Sequence, residues 1–270
     1  MNNLTFLEAI WKDKEVATQV TKRDISIKYK GSQLGAIWAI VNPLIMLTVY
    51  TIVFSKIFQA KWGGGGSEST DTVLYALNLF AGLIVFNIFG ETLNRSPGII
   101  TSNPNFVKKI RFPLHSLGEM IVYSATYQAF LSLLILLTAK TMYNGLPSWN
   151  LILLPIIWTI LGLKCLGLSW IMATIGVFIR DIAQVTNVGT SMLMFLSPIF
   201  YPLTALPENV QWIAALNPIA VSIIQTRIVV LQNGMPSMLS MVVDGAVSLL
   251  WCEIAFRVLT RCQKTFGDYV

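Results

Sequence analysis

Charge is scarce in this chain. Asp, Glu, Lys and Arg make up 12% of its 270 residues, against about 25% in an ordinary globular domain. Residues 31–55 carry none, and roughly 20 apolar residues suffice for a helix to cross a bilayer's hydrocarbon. A soluble fold is thereby excluded. Histidine occurs once, at His115, and cysteine three times, at Cys165, Cys252 and Cys262, without metal-ligand spacing. A structural zinc site needs four clustered ligands, so no metal is expected, and the thiols read as small apolar fillers.

Other signatures are missing too. No G-x-x-x-x-G-K-[ST] phosphate loop is present. Gly162-Leu163-Lys164 has a similar look, but the preceding glycine spacing fails. There is no Gly-x-Ser-x-Gly elbow and no H-E-x-x-H zinc pair. Long apolar runs are poor in the carboxylates from which proton relays are built; Asp244 and Glu253 are the nearest candidates. A chain without a nucleotide site or a relay must draw energy from elsewhere, and a partner protein is the simplest supplier.

What is present is apolar: 54% hydrophobic residues and a mean hydropathy of +0.65. The fold class expected is an all-α polytopic membrane protein. Six transmembrane helices are expected near 34–56, 72–94, 114–140, 150–178, 183–204 and 238–260. With the N-terminus inside, most of the 19 basic residues fall on the cytoplasmic side, which sets orientation by the positive-inside rule. Lys56, Lys61, Lys140 and Arg227 are assigned outside and Lys164 within a span, so both termini are expected in the cytoplasm. The net charge of +6 follows from this arrangement, and no nucleic-acid partner is expected.

Residues 1–30 are too charged for a cleavable signal and form a separate unit. Thr5 and Glu8 have capping-box spacing, and Phe6, Leu7, Ile10, Trp11 and Ala17 recur near a helical period. An amphipathic helix on the membrane surface is expected; the other reading is a solvated helix packed on the rest of the chain. Residues 31–270 form the transmembrane domain. Within it, Gly63–Gly66 marks a flexible external loop. Residues 205–233 hold two helical stretches too short to span, opened by Pro207, broken at Asn217-Pro218 and stopped by Gly234. A re-entrant hairpin before the last span fits; an external loop with two surface helices is the alternative.

Three blocks resemble one family. The first is Arg23-Asp24-Ile25-x-Ile27-Lys28-Tyr29-Lys30-Gly31-Ser32-x-Leu34-Gly35-x-x-Trp38 with Asn42-Pro43-Leu44. The second runs from Asn103-Pro104-Asn105-Phe106 through Lys108-Lys109-Ile110-Arg111 to Leu114. The third runs from Arg180-Asp181 through Ser197-Pro198 and Tyr201-Pro202 to Leu216-Asn217-Pro218. Together they resemble type 2 ABC exporter permeases for polysaccharides, which include O-antigen, capsule and teichoic-acid exporters. The resemblance implies a homodimer lining a channel, with two copies of a cytoplasmic ATPase subunit that bind ATP and Mg. This chain itself would bind no cofactor and be no enzyme. It also implies a bacterial inner-membrane location and a polysaccharide carried on a polyprenyl-diphosphate lipid.

By the same resemblance, residues 95–112 form a coupling loop with Asn105, Phe106, Lys108, Lys109 and Arg111 against the ATPase; these charges also serve topology. The hairpin, with Pro207, Asn217, Pro218 and Arg227, forms an outer gate. Arg23, Lys28 and Lys30 lie at headgroup level, where membrane lipids attract cations. They either guide the lipid diphosphate or anchor the surface helix. A wide polar polymer needs hydroxyl-bonding groups and flat aromatic faces. Trp38, Asn42 and Tyr50 on the first span and Thr190, Ser191, Phe195 and Tyr201 on the fifth are the candidates; aromatics at helical spacing also pack against neighbours. Three alternatives remain: an exporter of teichoic acid or small hydrophobic drugs, a membrane glycosyltransferase, and a self-sufficient channel or secondary transporter.

Overall fold

The computed structural model describes residues 5–30, 33–53, 72–107, 112–203 and 217–269. The expected glycine-rich loop at 63–66 lies outside the described residues, as do Lys108, Lys109, Arg111 and Pro207. Every regular element among the described residues is helical.

Two helices open the chain, α1 (Phe6–Lys12) and α2 (Lys14–Tyr29). The capping box forms: the Thr5 N–H donates to Glu8 Oε2 at 2.9 Å and the Glu8 N–H to Thr5 Oγ1 at 3.4 Å. Phe6, Ala9, Ala17 and Val20 are buried on one face, where α2 packs on α6. The Phe6 N–H, which has no partner within its own helix, donates to Glu253 Oε2 at 3.1 Å. Leu7, Trp11 and Ile27 stay exposed on the other side. The unit thus packs on the protein and also keeps an outward apolar face.

Four helices are long and apolar enough to cross a membrane: α4 (Thr72–Arg95), α6 (His115–Asn144), α7 (Leu154–Phe178) and α10 (Met238–Cys262). At about 1.5 Å per residue each exceeds the ~30 Å of hydrocarbon. α4 is the hub. It packs on α3 (Trp38–Ile52), α6, α7, α8 (Ile182–Leu196) and α9 (Ala220–Val230), and most of its side chains are buried. The short α5 (Pro104–Val107) lies in the connection between α4 and α6. α6 and α7 approach closely because Gly118 leaves room for the Trp170 indole, which a Cβ would meet at 2.7 Å. The indole N–H then donates to the His115 carbonyl at 3.0 Å. Close contact through small residues is how helices associate where lipid is as apolar as leucine.

α3 and α8 are shorter, 15 residues each. α8 ends where Ser197, extended at ψ 148, precedes Pro198, as sterics before proline require. In α3, Pro43 has no N–H for the Ala39 carbonyl one turn back. Gln128 of α6 supplies the donor at 2.8 Å, and its own carbonyl oxygen accepts from the Tyr29 hydroxyl. A proline break in one helix is thus repaired by a neighbour and tied to the surface helix.

Candidate transport pathway, coupling segment and hairpin

The bundle has two ends: a basal one carrying α1, α2 and Arg95, and a distal one where α7 and α10 begin. At the distal end, Arg227 of α9 is the organising residue. It is 3% exposed, with Nε donating to the Asn78 carbonyl at 2.8 Å, Nη2 to Ile199 at 2.6 Å, and Nη1 to Pro198. The end of α8 at Leu196 leaves the Pro198 and Ile199 carbonyls without helical partners. Gly82 makes room, since a Cβ there would sit 2.6 Å from Arg227 Nη2.

Further bonds converge nearby. The Asn217 amide donates to Ser197 Oγ at 2.8 Å, and its Oδ1 accepts the Ile219 N–H at 3.1 Å, an Asx turn that starts the chain toward α9. Tyr75 donates to the Phe200 carbonyl at 2.8 Å. Lys164 of α7 lies 2.6 and 2.7 Å from the two Asp244 oxygens on α10, and it donates to the Pro218 carbonyl at 2.7 Å. Pro218 itself is exposed. Past α9, the left-handed residue is Asn233 (φ 53), and Gly234 donates to the Ile228 carbonyl at 2.9 Å. Asn233 Oδ1 accepts from Lys140 Nζ at 3.0 Å.

Lys140 and Arg227, assigned to the outer side, both lie at the distal end, where they are 1% and 3% exposed and serve as internal donors. Counting charges along a loop locates them only by sequence neighbours and does not register carbonyls that need a donor. Sequence reasoning also passed over Glu119. It is wholly buried on α6, 3.6 Å from His115 Nε2, which is 3.4 Å from Asp13. Its position four residues after the single histidine was the available signal.

At the basal end, Lys28 pairs with Glu91 at 3.2 Å, and Arg95 bridges Glu91 and Asp24 at 2.8 and 2.7 Å. Arg23 and Lys30 are exposed. In the proposed coupling segment, Phe106 stacks on Phe112 with ring centroids 4.3 Å apart at 18°, and Asn105 is exposed.

The pathway candidates divide by helix face. On α8, Gln184, Asn187, Ser191 and Phe195 form an exposed stripe at spacings of three and four; Phe195 is 65% exposed. Thr190 faces the other way, its hydroxyl donating to Asn94 Oδ1 of α4 at 2.7 Å. Tyr201 is half-buried and donates to the Phe195 and Leu196 carbonyls at 3.3 Å. On α3, Asn42 is exposed, Trp38 half-buried, and Tyr50 half-buried against the core. α3 and α8 both pack on α4, so the two groups sit on neighbours of a common helix.

Residues 16–231 match the ABC-2 type transporter family. The chain belongs to that family. The match embraces α2, the connection after α4, α8 and all of α9. Among curated proteins, the O-antigen export system permease protein RfbA of Myxococcus xanthus is 23% identical over 99% of this chain and 100% of its own length. A protein of the same name from Klebsiella pneumoniae is 24% identical over 77% of each. The polysialic acid transport protein KpsM of Escherichia coli is 26% identical over 69% of this chain and 70% of its own. An ABC-2 chain is a membrane-integral transport subunit rather than an enzyme, and the family implies an ATPase carried on a separate subunit.

Proposed function

We propose that this chain is the transmembrane subunit of an ATP-driven polysaccharide exporter, and that it carries a polymer, O-antigen in the first instance, on a polyprenyl-diphosphate lipid across the bacterial inner membrane. End-to-end similarity to an O-antigen export permease carries this reading. Its physical support is the outward stripe of α8, which offers amides, a hydroxyl and an aromatic face to something outside the single chain. A polymer of hydroxyl groups matches that surface better than a small hydrophobic drug does.

α3 and α8 complete the six crossings in this reading, with both termini in the cytoplasm and α1–α2 lying at the inner headgroups. Two copies pair so that the α3 and α8 groups, both carried on neighbours of α4, line one conduit. Each copy docks one ATPase, which holds ATP and Mg, through α5 and the residues that follow it. The segment around Asn217, Pro218 and α9 is the re-entrant hairpin at the outer mouth. Arg23, Lys28 and Lys30 receive the lipid diphosphate at the inner surface.

Cells deprived of the chain are expected to accumulate lipid-linked polymer inside; normal surface glycan in such cells overturns the assignment. Purified alone, the chain is expected to hydrolyse no ATP. Phe106→Ala removes an aromatic stack worth about 0.5–1.5 kcal/mol. ATPase docking should weaken about two- to tenfold, read by titrating the ATPase onto the reconstituted permease, with dimer assembly unchanged. Unaltered docking removes α5 from the coupling role.

A further inference from the structure

Where α1 meets α2 the chain turns at Asp13, which ends one helix and precedes the next without a side-chain cap bond. Its carboxylate is engaged elsewhere. Asp13 Oδ2 lies 3.4 Å from His115 Nε2, and Glu119 Oε1 lies 3.6 Å from the same nitrogen. The Ala9 carbonyl of α1 also accepts from the imidazole. The Phe256 ring of α10 meets the imidazole edge to face, with centroids 5.6 Å apart. From the first residue of α6, His115 thus touches α1, the α1–α2 joint and α10.

The trio is one hydrogen short. A neutral imidazole that gives its N–H to Ala9 keeps a lone pair at Nε2. That lone pair faces two carboxylates, which when ionised only accept. Glu119 is wholly buried, and neither its oxygens nor His115 Nε2 have a hydrogen-bond partner among the described residues. No Lys or Arg among those residues lies within ion-pair distance of Asp13, His115 or Glu119. One added proton removes the conflict. On Nε2 it makes an imidazolium between two carboxylates; on Glu119 it makes a donor for Nε2. The proton belongs to the group as a whole. A metal ion would meet the same need, but no three His, Cys, Asp or Glu side chains among the described residues are arranged to hold one.

The surrounding elements supply no competing charge. Tyr123 of α6 and Cys252 of α10 lie within electrostatic reach of Glu119, and both are neutral near pH 7. Glu253 of α10 is taken up by the Phe6 N–H and Arg257. Glu91 and Arg95 of α4 are engaged with α2. At this level α7 contributes the uncharged Ser169 and Trp170. Glu8, Lys12, Lys14 and Glu15 are exposed.

We propose that Asp13, His115 and Glu119 bind one proton between them and act as a latch, holding the α1–α2 joint on α6 while the proton is bound and releasing α1 when it leaves. α2 is tied separately, by Asp24 to Arg95, Lys28 to Glu91 and Tyr29 to Gln128. Release therefore concerns α1, which already turns Leu7 and Trp11 outward. Freed, it brings the buried Phe6 to the same lipid surface. Docking takes up a proton, so it is favoured at low pH and weakens as pH rises. The latch is independent of which polymer is exported.

Hydrogen exchange of residues 6–12 in the full chain in nanodiscs, corrected for the intrinsic pH dependence of amide exchange, reads the latch. Between about pH 6 and 8, opening of α1 should increase with pH, approaching the tenfold per unit that one linked proton allows. Residues 17–29 of α2 should stay protected throughout. Glu119→Gln keeps the shape, and its amide donates to Nε2 without titrating, so α1 should remain docked across the range. Asp13→Ala removes one of the two carboxylates that hold the proton, and its rise in opening should begin at lower pH.

Opening that is flat or falls with pH in the unaltered chain overturns the proposal. So does a slope that survives Glu119→Gln. If melting shows Glu119→Gln to be unfolded, Asp13→Ala decides: a rise at the same pH as in the unaltered chain removes the latch. Protection that EDTA abolishes at constant pH assigns the site to a metal ion and equally overturns the proton.

Discussion

Arg227→Leu is expected to be the most damaging single substitution in this molecule. The leucine retains bulk but donates nothing, so the carbonyls of Asn78, Pro198 and Ile199 lose their donor together. Asn78 lies within α4 and keeps its helical donor one turn on, but the other two carbonyls are left unsatisfied at about 1–3 kcal/mol each, which puts the loss at about 2 kcal/mol or more. Water cannot substitute at a site where the side chain is 3% exposed. Arg227→Lys should fall between the two, because an ammonium is a point charge and lacks the planar fork that reaches three acceptors. The same contact can be attacked from the opposite wall. Gly82→Ala places a methyl 2.6 Å from Arg227 Nη2, and the guanidinium, fixed by three carbonyls, has little freedom to withdraw. Thermal melting of the purified chain should therefore rank the unaltered protein above Gly82→Ala and Arg227→Lys, with Arg227→Leu lowest. A melting temperature unchanged in Arg227→Leu would show that the carbonyls find other partners and that α9 is held by apolar contact alone.

The difficulty of foreseeing Arg227 shows what a sequence can and cannot convey about such a protein. The four long helices are legible because a run without charge has one physical meaning in a chain this apolar. The capping box at Thr5 and Glu8 is legible because both partners lie within one turn. The turn at Asn217-Pro218 is legible because proline acts on its own neighbours, whereas the fifth span, expected to run to 204, ends as α8 at Leu196, before Ser197-Pro198. The repair of each break is another matter. Gln128 answers the carbonyl freed by Pro43 from 89 positions away, and Arg227 reaches Asn78 across 149. Neither residue carries a local sign of its partner. Gly234 is the expected stop of the helix after Asn217-Pro218, whereas the left-handed residue there is Asn233. Glycine is the usual left-handed residue, but asparagine also tolerates that conformation, and Asn233 is chosen because its side chain also engages Lys140 and the Ser148 N–H. Among the pathway candidates on α8, Ser191 and Phe195 are exposed on one face, while the neighbouring Thr190 turns to α4, where Asn94 accepts its hydroxyl proton.

Lys164 and Asp244 carry the second large prediction, and it concerns non-additivity. Both side chains are largely buried, 11% and 17% exposed, with 2.6 Å between nitrogen and oxygen. Removing one member of a buried pair strands the other and costs about 3–5 kcal/mol, whereas replacing both by apolar residues is often neutral. Lys164→Leu and Asp244→Leu should each lower the melting temperature sharply, and the double variant should recover most of the loss. Lys164 has one further duty, the 2.7 Å bond to the Pro218 carbonyl, which joins the pair on α7 and α10 to the turn that leads into α9. The double variant restores charge balance but not that bond. It is therefore expected to fold and assemble normally while delivering less glycan to the cell surface. Full export from the double variant would mean that the Lys164–Pro218 bond is dispensable and that the hairpin is positioned by Arg227 and Asn217 without it. Additive losses of stability in the two single variants would mean that the charges are solvated independently, and the ion pair would then explain nothing about how α7 and α10 are held together.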